Sequence, residues 1–418
     1  MIRTLLLVLS LVVGIRVAGA RVTGDIYGPG SAQFPIAVVP LAGDAALGAR
    51  FAKVLSRDLE LSGYFRVVDP SRFPVESGDA IDWESWAATG AQALVRGTVS
   101  GGDGIVTEVR LWDVATKQPV EQVGKRYTGA RNDVGRMANR TADAVLEFLT
   151  GERGPFDSKI AFASTRGGRL KDVWVFAFDR DEPEKLTNEQ SIVLAPRWRP
   201  DLGALVYTSY REHYPHLFAV DLPGRGVRRL AGDGRFLSGA YGPDGLSILA
   251  AKETQGNADI VLLDASGRVL KQLTDHWGID VSPAWAPDGR RFAFCSSRAG
   301  SPQIYVMGVD GGSPQRVSFQ GSYNTSPAWS PKGDAIAWAT RAGGGFQIVV
   351  ARADGGGSRT IAEGEDPSWS PDGRYLVFAR RGRLVFADRD GHTVKELTRG
   401  NGSDSSPSWS PRLDQGGR

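Results

Sequence analysis

Residues 285–318 read WAPDGRRFAFCSSRAGSPQIYVMGVDGGSPQRVS, and this stretch decides the fold. Pro287-Asp288-Gly289 is a tight turn, because proline presets φ and glycine accepts positive φ. Arg291-Phe292-Ala293-Phe294-Cys295 reads as a strand, and Ser297-Arg298-Ala299-Gly300 as a second turn. Gln303-Ile304-Tyr305-Val306-Met307 is another strand, rich in β-branched and aromatic residues. Asp310-Gly311-Gly312 turns the chain into a short strand, Gln315-Arg316-Val317-Ser318. With the segment leading into Trp285, the unit holds four antiparallel strands and nothing that reads as a helix.

The unit recurs. Trp198-Arg199-Pro200, Trp285-Ala286-Pro287, Trp329-Ser330-Pro331, Trp369-Ser370-Pro371 and Trp409-Ser410-Pro411 share one pattern, with Tyr241-Gly242-Pro243 in phase. Successive spacings are 43, 44, 44, 40 and 40 residues. A four-stranded unit at this period is the blade of a β-propeller. One blade cannot bury both of its faces; a ring of blades can, and it protects their edges. The repeated aromatics are therefore read as packing between blades rather than as ligand contacts.

The ends of the array predict the count. Before Trp198 stand three strands without a leader: Lys159-Ile160-Ala161-Phe162-Ala163, Asp172-Val173-Trp174-Val175-Phe176 and Glu184-Lys185-Leu186-Thr187. After Trp409 there is one leading strand and no more. Three strands plus one make a blade, so six blades are expected, the first closed by the C-terminal strand.

Residues 35–150 follow a different pattern. Pro35-Ile36-Ala37-Val38-Val39-Pro40 is a short apolar strand, and Asp44 to Ser62 a helix with Leu47, Phe51, Val54, Leu55 and Leu59 on one face. Phe65-Arg66-Val67-Val68 is a strand, and Asp82 caps a short helix through Trp83 and Trp86. Strands near residues 93–99, 105–114 and 120–127 follow, then a helix from Asp133 to Leu149 stopped by Gly151. The fold class is mainly β: a six-bladed propeller preceded by a small α/β domain.

Residues 1–20 carry Arg3, an apolar run from Leu5 to Val13, and Ala18-Gly19-Ala20, the layout of a secretory signal. No cysteine follows the cleavage site, so a lipid anchor is not expected. Residues 21–34 form an N-terminal arm, in which Val22, Ile26 and Tyr27 could add a strand to a partner; an ordinary frayed terminus is the other reading. Residues 151–158 are a linker, 159–411 the propeller and 412–418 a tail.

The formal charge is +3 over 418 residues, and removal of Arg3 and Arg16 with the signal leaves +1. Such a balance offers no argument for a nucleic-acid partner. The single cysteine, Cys295, allows no internal disulfide, so stability rests on packing and ring closure.

Catalytic chemistry is hard to find. His213 and His216 form an H-x-x-H in a loop without an evident third ligand, so no metal is expected. There is no nucleophile elbow and no phosphate loop. Cofactors are expected to be none, and a monomeric binding protein is preferred over a propeller hydrolase or glycan binder.

The order of these parts resembles the TolB family of periplasmic proteins of the Tol-Pal system. The resemblance rests on Pro35-Ile36-Ala37-Val38-Val39-Pro40, on Asp58-Leu59-Glu60-Leu61-Ser62-Gly63-Tyr64-Phe65 and on repeats such as Ser326-Pro327-Ala328-Trp329-Ser330-Pro331. It implies a non-enzymatic periplasmic protein, associated with membranes only through partners. Those implied are the lipoprotein Pal, at the mouth of the propeller channel, and the inner-membrane protein TolA, through the N-terminal arm. The implied role is outer-membrane integrity and invagination during division. The loops before each tryptophan strand should line the channel mouth: Arg235 and Phe236, His276 and Trp277, Tyr323 and Asn324, Glu365 and Asp366, Asp404 and Ser405. In the family one such loop carries a histidine that contacts Pal; the matching position here is Arg235, a departure from the pattern.

Overall fold

The computed structural model describes residues 32–75, 80–222, 224–230 and 234–414. The proposed signal and Val22, Ile26 and Tyr27 of the arm lie outside the described residues.

The N-terminal domain runs β1 (Phe34–Val38), β2 (Ala42–Gly43), α1 (Ala45–Leu61), β3 (Phe65–Val67), α2 (Trp83–Ala88), β4 (Ala93–Gly101), β5 (Gly104–Asp113), β6 (Gln118–Ala130) and α3 (Val134–Thr150). Its sheet is ordered β3-β1-β4-β5-β6. The β1 pairs are parallel, and β4-β5-β6 is an antiparallel meander. Asp44 caps α1 by accepting the N–H groups of Ala46 and Leu47, both at 3.1 Å, and so satisfies donors that the first turn leaves orphaned. Leu47, Phe51, Val54, Leu55 and Leu59 of α1 are buried against the sheet. Gly151, at φ 77°, ends α3 in the left-handed cap that glycine favours. Phe34 belongs to β1 and is 5% exposed, so the arm ends one residue earlier than its sequence boundary.

Six four-stranded sheets follow, each an antiparallel meander. Their innermost strands are Val193–Trp198, Arg235–Tyr241, Asp280–Trp285, Asn324–Trp329, Glu365–Trp369 and Asp404–Trp409, opening blades 1 to 6 in that order. Blade 6 joins the two ends of the array: Asp404–Trp409 lies antiparallel to Lys159–Ser164, with Asp404 opposite Ser164 and Trp409 opposite Ile160. The expected closure is thus observed.

The repeated tryptophans are latches. Trp285 donates its indole N–H to Ala240 O at 3.0 Å, Trp369 to Ala328 O at 3.0 Å and Trp198 to Ser408 O at 2.9 Å, each across a blade boundary. Trp329 instead serves Gly333 O in its own blade, and Trp409 serves Ser158 Oγ. Each ring fills space between sheets while its one polar atom meets a carbonyl or hydroxyl, as a buried indole requires.

The linker is a packed joint. Phe156 and Asp157 are fully buried, and their N–H groups donate to Asp143 of α3 at 2.8 and 3.0 Å. Residues 412–414 dock on this joint rather than trailing away from the ring: Arg412 donates to Gly154 O, and Leu413 N to Asp157 O.

Candidate functional site

In a meander blade the first and third connections fall on opposite ends from the second. The loops between blades and those joining the second and third strands therefore share one face of the ring. The other two turns share the opposite face.

The α/β domain covers that opposite face. Arg50 donates to Asp179 O and Lys53 pairs with Asp181 at 2.7 Å, both in the last turn of blade 6. Lys332 of blade 4 meets Glu152 at 2.8 Å, and Arg374 of blade 5 donates to the carbonyls of Glu152 and Arg153. The Tyr375 hydroxyl donates to Ser62 O at 3.1 Å. At α3, a Cβ on Gly135 would stand 2.9 Å from Asp179, so only glycine permits this approach of helix to ring.

The first face is open, and it carries exposed aromatic and aliphatic side chains among charged ones. Trp277 is 73% exposed, accompanied by Ile192, Tyr214, Ile279, Tyr323 and Leu170; Phe319, 67% exposed, lies to the side against the Gly355 turn of blade 4. Exposed aromatics on one side of a protein mark interaction surfaces. Trp277 packs beside His276, with ring centres 5.1 Å apart, and the His276 ring accepts the Gly278 N–H at 2.9 Å. Tyr323 lies edge-on to Phe346. The Arg235 guanidinium lies 4.0 Å over the Tyr214 ring and pairs with Glu253.

Three of the loop residues expected at the surface are buried. Phe236 is 1% exposed and packs among Val206, Leu217 and Tyr241 between blades 1 and 2. Asn324 donates to Gln303 Oε1 and Gln320 O and accepts the Trp338 indole N–H. Asp404 is enclosed by Arg166, Ser164 and Thr398. Each belongs to the inner strand rather than to the loop before it, and strand alternation sends its side chain into the blade. These residues support the loops and do not present a surface.

Around the axis, five inner strands carry a bulge with a left-handed residue before proline: Ala195, Ser282, Ser326, Asp366 and Ser406, at φ from 48° to 55°. The bulge re-aims the side chain. Asp366 consequently reaches both neighbours, accepting from Ser326 Oγ at 2.7 Å and Ser406 Oγ at 3.0 Å. Beside it the Glu365 carboxyl is raised above its ordinary pKa by burial and by the Asp366 charge. Ser405 accepts from Lys171 Nζ at 2.8 Å.

The two histidines of H-x-x-H do not converge on a site: His213 occupies a turn at φ 74°, while His216 Nδ1 lies 2.8 Å from Gly234 O. Asp388, Asp390 and His392 come together in an outer turn, but Asp388 is already occupied by the N–H groups of Asp390 and Thr393.

The TolB beta propeller domain matches residues 146–413, and the TolB amino-terminal domain matches residues 23–120. The chain belongs to the TolB family. The crystal structure of TolB from Acinetobacter baumannii superposes at a TM-score of 0.80 with 26% identity, over 91% of this chain and 97% of that one. The Tol-Pal system protein TolB of Desulfosudis oleivorans is 36% identical over 54% of this chain and 53% of its own. That of Anaeromyxobacter dehalogenans is also 36% identical, over 64% of this chain and 63% of its own. The chain thus spans about half to just under two thirds of the curated relatives it matches. Among its described residues no helix is long and apolar enough to cross a membrane.

Sequence reasoning named neither Ile279 nor Ile192, both about half exposed. Their signal was available: a large apolar residue in an interblade loop, just before the inner strand.

Proposed function

We propose that this TolB-family chain is a non-enzymatic periplasmic component of the Tol-Pal system that binds a Pal-like outer-membrane lipoprotein through the open face of its propeller. A TolA-like inner-membrane protein is bound through residues 21–34. The two contacts together support outer-membrane integrity and its invagination at division.

The observation that carries this reading is the asymmetry of the two faces. One is covered by the chain's own α/β domain; the other keeps Trp277, Tyr323 and Ile279 in water. Leaving such side chains exposed is unfavourable for a free protein, by about 25 cal/mol per Å² of apolar surface. A partner that buries them recovers this. The names of the relatives support membership of the same assembly.

The test is binding of the purified chain to the soluble domain of a Pal-like lipoprotein. Trp277→Ala and Tyr323→Ala together should weaken it at least tenfold, the scale of a lost aromatic anchor (about 1.4 kcal/mol or more). Removal of residues 21–33, which spares the buried Phe34 of β1, should leave it intact and abolish capture of a TolA-like protein. Unchanged affinity in the double variant would sink the assignment of the open face.

A further inference from the structure

The residue immediately before the repeat aromatic is Ala240, Ala284, Ala328, Ser368 or Ser408 in five blades. In blade 1 it is Arg197. The channel holds a cavity of about 380 Å³ here, and Arg197, Ala240, Ala284, Ala328 and Ser368 stand on its wall beside proline, serine and aromatic side chains.

Among the described residues, Arg197 donates only to the carbonyl of its own neighbour, Pro196 O at 2.9 Å. No carboxylate lies in ion-pair contact with it. Asp366 acts on it only at longer range, and both Asp366 oxygens are held by Ser326 and Ser406. Burial holds the guanidinium below its ordinary pKa, as expected for a cation without a contacting counter-charge. The chain thus places a charge in a channel that five equivalent positions keep neutral. Arg197 is only partly buried there and lines the cavity, so its guanidinium is available to an incoming anion.

We infer that the channel cavity is a binding site for a carboxylate carried on a small apolar body, with Arg197 as its anchor.

Three features select this ligand. The planar fork of the guanidinium matches a carboxylate; with Asp366 already contributing a negative charge at longer range, a phosphate dianion would be undercompensated. The walls around it mix alanine, proline and indole carbons with serine, and the indole N–H groups of Trp285 and Trp369 are already consumed by Ala240 and Ala328 carbonyls. Ser368, also on the wall, accepts the backbone N–H of Trp409 at 2.9 Å and donates to no described group, which leaves its hydroxyl hydrogen for the ligand. The volume lies at the lower end of the range of about 300–1,000 Å³ for small-molecule sites. The carboxylate could come from a free acid or from the C-terminus of a peptide entering the channel. Neither depends on which protein docks on the open face.

Tryptophan fluorescence and calorimetry on the purified chain test the site with N-acetyl-leucine, N-acetyl-leucinamide, the tripeptide Ala-Ala-Leu with free or amidated C-terminus, and inorganic phosphate. N-acetyl-leucine should bind saturably and its amide at least tenfold more weakly. Arg197→Ala, which installs the residue of three other blades, should abolish the difference between acid and amide while the melting temperature is kept or raised. Arg197→Gln keeps most of the volume without the charge and serves the same purpose if the alanine variant does not fold. Binding of the free-acid tripeptide as well as the small acid assigns a chain terminus as occupant, and binding of N-acetyl-leucine alone assigns a free acid. Equal binding of acid and amide, phosphate binding as tight as the carboxylate, full binding by Arg197→Gln, or no saturable carboxylate binding overturns the site.

Discussion

Arg166 grips Asp404 with two hydrogen bonds, Nε to Oδ1 at 2.9 Å and Nη2 to Oδ2 at 2.7 Å, and thereby fastens the last strand of the propeller to the first. Ser164 Oγ and Thr398 Oγ1 also donate to the same carboxylate, at 2.6 and 2.7 Å. The pair is 8% and 0% exposed at its side chains, so water does little to screen it.

Ring closure should therefore be sensitive to this pair. Asp404→Ala leaves a buried guanidinium unpaired, a defect that costs about 3–5 kcal/mol. Urea unfolding should show that loss, and a double-mutant cycle with Arg166→Ala should recover a large coupling energy. A midpoint unmoved in Asp404→Ala would mean that the strand pairing alone holds the ring closed.

The tryptophans divide into two kinds by position. Trp285→Phe keeps an aromatic side chain but loses the five-membered ring and its N–H, which strands the Ala240 carbonyl, at a cost of about 1–3 kcal/mol. Trp277→Ala removes a side chain that is 73% exposed and should leave thermal stability within about 0.5 kcal/mol of the parent. Thermal melts of the two variants check the contrast, and a reversed order would contradict the latch.

Two buried carboxyls make stability depend on pH. Burial pushes Asp58 of α1 up to about 8 and Asp143 of α3 up to about 7, from an ordinary 3.8. The folded chain then holds protons that the unfolded chain releases, so stability falls as pH rises from about 4 to about 8. Each group contributes up to about 1.4 kcal/mol per pH unit within its own window. Asp58→Asn cannot ionise and should flatten the upper part of this window. Unfolding midpoints at a series of pH values measure it; equal slopes in the variant and the parent would exclude Asp58 as the cause.

Cys295 should be inert in the native chain. It is 4% exposed, its thiol is pushed up to about 11 by burial, and Sγ lies 3.4 Å from Asn324 O. At pH 8 almost none of it is thiolate, the reactive form. Labelling by a thiol reagent should track global unfolding in denaturant, and rapid labelling of the folded chain would refute this.

The repeat made six blades and their closure legible, because a blade is a local object: turn residues and strand periodicity are written within about 40 residues. The helix caps at Asp44 and Gly151 were legible for the same reason. Surface roles were not. Phe236 and Trp277 read alike in sequence as aromatics near the start of an inner strand, yet Phe236 lies within its strand and is buried between blades while Trp277 stands in water. That difference depends on the neighbouring blade, which sequence spacing does not describe. Arg197 is visible as an odd letter before Trp198, but that no carboxylate contacts it emerges only when the other blades close the ring and Asp366 is engaged by Ser326 and Ser406. By itself the sequence determined the unit, the count and the order of domains, since each follows from local backbone preference and apolar periodicity. Only the tertiary structure decided which face the α/β domain covers, which aromatics remain exposed and which charge the channel holds, because burial and pairing are set by residues far apart in the chain.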